Sequence, residues 1–338
     1  MAHSATDDPS APFPRRPLGR TGLDVTPLCF GGGPLGGMPQ NFGYQVPPER
    51  AAATLREILA GPVNFLDTSN NYGEGRSEQR IGAALREAGG VPDGFVLATK
   101  ADRDERTGDF SGERVRRSAE ESAQRLGLDH FPLYHLHDPE NADFAETVGP
   151  GGAVEAMVAL REEGVAGSIG VAGGPVDLMI RYIETGAFDV VLTHNRYTLL
   201  DRSAERLFEV AAAHGVAVLN AAPFAGGILA KGPGQQPRYA YRETPAPVRE
   251  RVLRIAELCR EAGVPTAAAA LQFSLRDPRI TATVAGVSTP ERVRQTVELA
   301  LTDIPDGLWA ELDALALPPE LWLDGAPETA TAAKGTTR

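Results

Sequence analysis

The chain of 338 residues has little of what several protein classes require. Its two cysteines, Cys29 and Cys259, are too few for a disulfide framework or a thiolate metal site. No apolar run approaches the roughly 20 residues of a membrane-spanning helix, and the first residues lack the apolar segment of a secretory signal. The net charge of −12 leaves no basic surface for a phosphate backbone. We therefore expect a cytoplasmic protein that binds neither membranes nor nucleic acid.

Neither of two phosphate-binding motifs stands where a dinucleotide-binding open sheet requires it. The glycine-rich run GGGPLGG at residues 31–37 has the Gly-x-Gly-x-x-Gly spacing at Gly31, Gly33 and Gly36, but Gly31 still belongs to the first strand candidate, so the run is out of the register in which the motif follows that strand. No Gly-Lys-Ser/Thr phosphate loop occurs anywhere in the chain. Both observations disfavour a doubly wound open sheet.

What the sequence does contain is a sustained alternation of strand and helix patterns. Strand candidates are residues 26–31, 63–67, 95–100, 132–137, 167–171, 190–194, 216–220 and 281–285. Helix candidates are residues 49–60, 77–88, 112–126, 153–163, 175–185, 203–214, 247–262 and 290–301, with a further helical stretch at 266–275. Eight of each is the count of an α/β protein of the (β/α)8 TIM-barrel class.

The remaining segments complete the predicted domain organisation. Residues 16–28 predict an N-terminal β-hairpin, and residues 13–318 form a single barrel domain with extra loops and helices at its C-terminal face. Residues 225–246 are the longest irregular segment and predict a substrate-side loop. We expect disorder in residues 1–12, and a C-terminal tail over 319–338 that is disordered from about 325.

Several helix starts carry capping signals. Ser111 and Thr289 precede acidic residues at the expected spacing, and residues 201–203 (Asp-Arg-Ser) precede Glu205 in the same way.

Four reactive side chains fall at the ends of neighbouring strand candidates, where barrel active sites lie. Asp67, Lys100 and His137 follow or end the second, third and fourth strands, and Tyr72 lies in the loop after the second. Tyrosine titrates near pH 10, so lowering its pKa to about 7 requires about 4 kcal/mol. One ammonium at about 4 Å and an effective dielectric of about 20 supplies that. The set therefore predicts an acid–base centre: Lys100 tunes Tyr72, Asp67 holds Lys100, and His137 hydrogen-bonds a substrate oxygen.

A metal-dependent barrel hydrolase is an alternative on chemistry alone. His135 and His137 are two residues apart on one strand and share a face, as a pair of metal ligands would. His194 and Asp67 could complete the site. This reading leaves Lys100 and Tyr72 without a role, so we expect no metal.

The sequence resembles the aldo-keto reductase family over residues 16–317. The matching motifs, in chain order, are PLGRTGL (17–23), FLDT (65–68), YG (72–73), SE (77–78), ATK (98–100), LGLD (126–129), HDP (137–139), GV (164–165) and IGV (169–171). The resemblance implies a catalytic tetrad at Asp67, Tyr72, Lys100 and His137. It also implies hydride transfer between a nicotinamide ring and a carbonyl or alcohol carbon, with Tyr72 as general acid or base.

Other motifs resemble the branch of the family that contains aldose 1-dehydrogenases and pyridoxal 4-dehydrogenases. They are GGGPLGG (31–37), HNRYTLLD (194–201), NAAPF (220–224) and AALQF (269–273). This likeness implies a small substrate with a carbonyl or alcohol carbon: an aldose oxidised at C1 to a lactone, a pyridoxal-like compound, or another small aldehyde or ketone. It leaves the direction of the reaction and the oligomeric state open. A non-catalytic barrel that senses nicotinamide nucleotide is a second alternative.

Cofactor contacts implied by the resemblance depart from the family pattern. Ala172 and Gly173 stand where a Ser-Asn pair usually holds the carboxamide, and Ala221 stands where an aromatic residue usually stacks on the nicotinamide. The implied cofactor-binding residues are Gly32, Asp67, Ala172, His194, Asn195, Pro223, Phe224, Gly286, Ser288, Arg292 and Gln295. The cofactor is NAD or NADP; a lysine that often binds the 2′-phosphate is absent, which favours NAD, although Arg292 matches a position that commonly contacts that phosphate.

Overall fold

Eight parallel strands close into a barrel in the computed structural model, which describes residues 12–240 and 242–325. We number the barrel strands in chain order. They are β1 (Leu28–Gly31), β2 (Phe65–Asp67), β3 (Val96–Ala101), β4 (Phe131–His137), β5 (Ala166–Gly173), β6 (Val190–His194), β7 (Ala217–Ala221) and β8 (Ala282–Gly286). Strand β8 pairs with both β7 and β1, which closes the ring. The predicted (β/α)8 class is confirmed.

Helices follow the strands and cover the outside of the barrel. The longer ones are Pro48–Ala60, Arg76–Glu87, Gly112–Leu126, Ala153–Glu162, Val176–Glu184, Glu205–Ala213, Ala246–Glu261, Thr266–Leu275, Pro290–Leu301 and Asp306–Asp313, and the shorter ones are Pro39–Phe42, Phe144–Val148 and Ile228–Lys231. Each amphipathic helix places its apolar residues against the strands, so one large apolar layer lies between strands and helices.

The capping predictions are right at two helices and wrong at one. The Ser111 and Thr289 side chains accept hydrogen bonds from the backbone N–H of Arg114 and Arg292. The sixth predicted helix begins at Glu205 rather than at residue 203, and no side chain caps it. Asp201 instead accepts from the backbone N–H of Ser203, so it stabilises a turn two residues before the helix.

A second, smaller apolar cluster fills the barrel interior, and the predicted hairpin closes one end of it. Residues Arg16–Pro17 pair with Asp24–Val25, and the hairpin buries Leu18 among the interior side chains. Arg20 donates to Asp189, directly before β6, which ties the hairpin to the N-terminal end of that strand. Because the N-terminal end is plugged, the opposite end is the open face of the barrel.

The segment at residues 225–246 is less irregular than predicted. It contains the turn Ala225–Gly227, the helix Ile228–Lys231 and a two-stranded ribbon in which Arg238–Tyr239 pairs with Arg242–Glu243. Ile228 and Leu229 are buried in the main apolar layer and supply the packing that orders this loop.

The first part of the C-terminal tail packs on the loops of the open face. Asp324 pairs with Arg196 and accepts from the backbone of Val176, and Leu323 donates to Asp201. The disorder predicted for residues 1–12 and from about 325 falls almost wholly outside the described residues, and it stays a prediction.

No helix within the described ranges is long and apolar enough to cross a membrane.

Candidate active site

Strand register brings three of the predicted residues to the open face of the barrel. Asp67 of β2 pairs with Ala98, two residues before Lys100, and Lys100 pairs with His135, two residues before His137. A spacing of two keeps side chains on one face of a strand. Asp67, Lys100 and His137 therefore all point into the barrel at its C-terminal end.

Lys100 is buried, with 1% of its surface exposed, and its ammonium is held by two oxygens. Nζ lies 2.6 Å from Asp67 Oδ2 and donates to the Thr68 carbonyl at 2.6 Å. Burial raises the pKa of the Asp67 carboxyl, and the charge of Lys100 opposes that rise. Removing either partner would leave the other charge buried and unpaired.

Tyr72 completes the predicted group from the loop after β2. Its hydroxyl accepts from Lys100 Nζ at 3.4 Å, and its ring meets that of His137 edge-on, with centroids 5.5 Å apart. The loop is pressed against the loop after β1: a side chain at Gly73, where φ is +65°, would place its Cβ 2.2 Å from the Gly36 carbonyl oxygen. Glycine is required there, and the close approach fixes where Tyr72 stands.

Two residues that the sequence analysis missed hold His137. Asp102 Oδ1 lies 2.6 Å from His137 Nδ1, and Ser69 Oγ lies 2.9 Å from the same nitrogen. Burial lowers the pKa of the imidazole, but the charges of Asp102 and Asp138 and the hydrogen bond to Asp102 together outweigh burial and raise that pKa to about 9. The signal for Asp102 was present in the sequence, because it follows Lys100 by two residues and shares its side of the strand end.

His135 does not join this group. Its imidazole is fully buried against the backbone of β5, so close that a Cβ on Gly170 would lie 2.2 Å from Nδ1. Burial lowers its pKa well below the ordinary value. With Asp102 occupying His137 Nδ1, the two histidines do not form a paired metal site, and the hydrolase alternative has no support.

A second polar cluster lies on the open face between β4 and β6. The side-chain oxygens of Asp138 and Glu140 and a ring nitrogen of His194 are all within 4.8 Å of one another, close enough to hold a metal ion. Burial lowers the pKa of His194 to about 4, so this imidazole is neutral at pH 7. Its Nδ1 lies 3.2 Å from the amide nitrogen of Asn195, which leaves Nε2 to carry the ring proton.

Three of the buried oxygens that lack a hydrogen-bond partner among the described residues belong to residues of the candidate site. Asp67 Oδ1, Glu140 Oε2 and Asn195 Oδ1 are buried and accept no hydrogen bond from the described residues. Glu140 Oε2 occupies the space that a side chain at Gly173 would fill, since a Cβ there would lie 2.7 Å from it. Buried acceptors cost free energy unless a donor reaches them, so Glu140 Oε2 in the second cluster and Asn195 Oδ1, on the residue after His194, are each suited to accept from a ligand with N–H groups, such as a carboxamide.

The other predicted cofactor residues line the same face. Asn195 lies after β6 with a left-handed backbone (φ 61°), and Ala172 near the end of β5 is buried. Pro223 and Phe224 follow β7, and Gly286 ends β8. Gly32, after β1, donates to the Asp67 carbonyl.

The remaining predicted cofactor residues, Ser288, Arg292 and Gln295, lie at the start of the helix Pro290–Leu301. Thr289 caps this helix, and Ser288 directly precedes the cap. Arg292 and Gln295 are exposed, and their side chains are hydrogen-bonded to each other at 2.8 Å. The free N–H groups of a helix start favour an anion.

Strained backbone is concentrated at this end of the barrel. Every described non-glycine residue with positive φ lies in a segment that follows a barrel strand: Glu74, Asp138, Asn195, Ala222, Ala225 and Ala240. Such strain persists only where the surrounding structure holds it, and it is common at functional sites.

Comparisons with known proteins agree with this geometry. The model of the Aldo/keto reductase family matches residues 27–317. The chain is 33% identical to D-threo-aldose 1-dehydrogenase from Pseudomonas sp, over 88% of this chain and 96% of that protein. It is 32% identical to pyridoxal 4-dehydrogenase from Microbacterium luteolum, with the same coverage. It is 33% identical to L-galactose dehydrogenase from Arabidopsis thaliana, over 86% of this chain and 88% of that one.

Among solved structures, an aldo-keto reductase from Bacillus halodurans in its holo form superposes with a TM-score of 0.71. The match covers 90% of this chain and 96% of that one, at 24% identity. At that identity the likeness establishes the shared fold.

Proposed function

We propose that this chain, which belongs to the aldo/keto reductase family and is an NAD(P)-dependent oxidoreductase, oxidises the cyclic hemiacetal of a small hydroxylated aldehyde to a lactone. The observation that carries the proposal is the contact of Tyr72 with the buried Lys100–Asp67 pair at the open face.

The names of the relatives point to one shared chemistry. Aldoses close on their own hydroxyls to cyclic hemiacetals, and pyridoxal can do so through its neighbouring hydroxymethyl group. In both, the reacting carbon bears one hydrogen and one hydroxyl. Loss of hydride from that carbon and of the hydroxyl proton leaves a lactone carbonyl, so both substrate classes demand the same two transfers.

The nicotinamide cofactor supplies the hydride acceptor when bound. The residues of the chain perform the proton transfer. Tyr72 Oη accepts the hydroxyl proton as general base, and the ammonium of Lys100, 3.4 Å away, favours the phenolate that makes this possible. Asp67 holds the ammonium of Lys100 in place through the 2.6 Å contact. His137 donates from Nε2 to the substrate oxygen and stabilises the negative charge that develops there.

The hydrogen-bonding groups of Glu140, His194 and Asn195 are complementary to those of the cofactor carboxamide. Asn195 Oδ1 and Glu140 Oε2 are acceptors for its amide hydrogens, and the neutral His194 offers a donor to its oxygen. Ala172 and Gly173 then need contribute no side chain. Phe224 supplies an aromatic face near β7, and Pro223 and Gly32 line the same opening.

NAD is the preferred cofactor in this proposal. The lysine that often binds a 2′-phosphate in the family is absent, and at the helix start Arg292 stands next to the carboxylate of Glu291, which repels a dianion. Glu291 itself lies 3.8 Å from Arg294, an exposed contact that water screens. Ser288, Gln295 and the backbone of Gly286 serve the ribose and diphosphate equally in both cofactors.

A cofactor-coupled absorbance screen tests the proposal. Aldoses and pyridoxal are offered with NAD and with NADP, each next to its methyl acetal, in which the reacting hydroxyl is blocked. We expect turnover of at least one free hemiacetal, a lactone product and no reaction of the acetal. Binding of the cofactor without turnover of any aldehyde, ketone or sugar would instead identify a non-catalytic sensing barrel.

A further inference from the structure

Asp102 stands directly after β3, and its carboxylate is fully engaged on the His137 side of the open face. Oδ1 lies 2.6 Å from His137 Nδ1, and Oδ2 accepts from the backbone N–H of Asn71 at 2.9 Å and from the hydroxyl of Ser69. Only 5% of Asp102 is exposed. Its backbone is fixed as well, since the carbonyl accepts from Arg114 Nε at 3.0 Å. Such a carboxylate is rigid and shielded from water.

We propose that Asp102, with Ser69, is a positioning residue that keeps both nitrogens of His137 protonated, so that Nε2–H always faces the substrate oxygen. The inference rests on the proposed function, in which His137 donates to that oxygen. It assigns to Asp102 a role in the reaction that the four predicted catalytic residues do not cover.

The contact between Asp102 and His137 Nδ1 is the reason why both ring nitrogens must be protonated. A carboxylate only accepts hydrogen bonds, so the 2.6 Å contact places a proton on His137 Nδ1. A neutral imidazole has one proton, and with that proton on Nδ1 its Nε2 would be a bare acceptor facing the substrate. A donor at Nε2 therefore needs the imidazolium form. The charge of Asp102 is the nearest one that stabilises this form.

Some of the other titratable groups around His137 raise its pKa and others lower it. The titratable groups that face it from β2 to β6 and the loops after them are Asp67, Tyr72, Lys100, Asp102, His135, Asp138, Glu140 and His194. Asp138 Oδ1 lies 3.6 Å from Nε2, but 43% of that side chain is exposed, so water weakens its effect. Burial and the ammonium of Lys100 lower the pKa of His137, and Asp102 and Asp138 raise it to about 9.

One consequence is a limit to activity at high pH. Oxidation needs Tyr72 as a base and His137 as a cation. As the pH rises, the rate therefore increases when Tyr72 loses its proton and decreases when His137 loses its own. Such opposing requirements give a bell-shaped pH profile. Its descending limb should lie near the pKa of His137 and should move when Asp102 is changed.

Asp102→Asn is the direct test, because it keeps the shape of the side chain and removes its charge. The ring signals of His137 are followed against pH by NMR in the free, full-length protein, assigned by comparison with His137→Gln. We expect a midpoint near 9 in the unmodified protein and a midpoint at least two pH units lower in Asp102→Asn. We also expect kcat to fall by about 10²-fold, with cofactor Kd unchanged and the descending limb shifted to lower pH.

Two matched variants separate charge from packing. Asp138→Asn removes a carboxylate from the same imidazole at its exposed side, and we expect a smaller shift of the NMR midpoint than in Asp102→Asn. Ser69→Ala keeps the Asp102 charge, and we expect the midpoint to stay above 8.

Two outcomes would overturn the proposal: a midpoint near 6.5 in the unmodified protein, the ordinary value for histidine, and an unchanged midpoint in Asp102→Asn. If Asp102→Asn does not fold, the midpoint of the unmodified protein decides. The NMR titration needs no substrate. Failure to find a hemiacetal substrate would therefore refute the proposed function without changing what the titration shows about Asp102 and His137.

Discussion

Replacing Lys100 with methionine tests the central electrostatic claim about the site. Lys100 Nζ lies 3.4 Å from Tyr72 Oη. At an effective dielectric of about 20, that separation corresponds to about 5 kcal/mol, or about 3.5 pH units, in favour of the phenolate. Asp67, 2.6 Å from the ammonium, opposes part of this effect. We therefore expect Lys100→Met to move the ascending limb of the kcat/KM profile for oxidation upward by about 1–3 units.

The single variant also leaves the Asp67 carboxylate buried without a cation, which costs about 3–5 kcal/mol of folding free energy. The double variant Asp67→Asn/Lys100→Met removes both charges and should recover much of the lost thermal stability while keeping the shifted limb. Arg117→Met, which removes an exposed cation from a helix pair with Glu113, serves as the control for loss of a positive charge elsewhere.

The assay is steady-state oxidation under cofactor saturation from pH 5 to 10, with unfolding followed by circular dichroism. A reduced rate with an unmoved ascending limb in both the single and the double variant would contradict an electrostatic role of Lys100. In that case Lys100 would matter for folding or geometry, and its charge would not set the protonation of the reacting group.

Three further predictions follow from the same contacts. Tyr72→Phe should lower turnover by at least about 10²-fold while cofactor Kd, measured by fluorescence titration, stays within a factor of two; comparable turnover would remove Tyr72 from its role. Arg292→Ala should weaken NADP binding by about tenfold and NAD binding far less; equal loss for both would place Arg292 away from the 2′ position. Folding stability should depend on pH through His137: its folded pKa of about 9 lies above the unfolded value of about 6.5, so about 3 kcal/mol is present below pH 6.5 and is lost as pH rises through 9. Denaturant titrations at pH 6.5 and 9.5 measure this loss, and Asp102→Asn should nearly abolish it; a slope that the variant leaves unchanged would assign the loss to other groups.

The fold class could be predicted from the sequence because the strand and helix patterns are local and repeat eight times. Short apolar runs such as the one that ends at Asp67 are typical of buried strands, amphipathic stretches between them are typical of helices that cover those strands, and eight such units are the count of a closed barrel. Where a signal was short the prediction failed. Asp201 has the chemistry of a helix cap, yet its carboxylate satisfies a turn and the C-terminal tail instead, and the choice between those partners depends on chain segments far apart in sequence.

The same division runs through the active site. Asp67, Lys100 and His137 were predicted from the sequence because each stands at a strand end, and Tyr72 because it lies in the loop after the second strand and matches the family's motif order. The partners that give them their properties were not. Ser69 and Asp102 meet at His137, and Glu140 fills the space beside Gly173. For Asp102 the sequence offered only its two-residue spacing from Lys100, and nothing local sets Ser69 or Glu140 apart from other polar loop residues. Sequence determines which residues lie at the end of each strand, since that follows from periodicity. Only the closed barrel decides which loop side chains face one another, because those contacts join residues more than 30 positions apart and depend on strand register and burial.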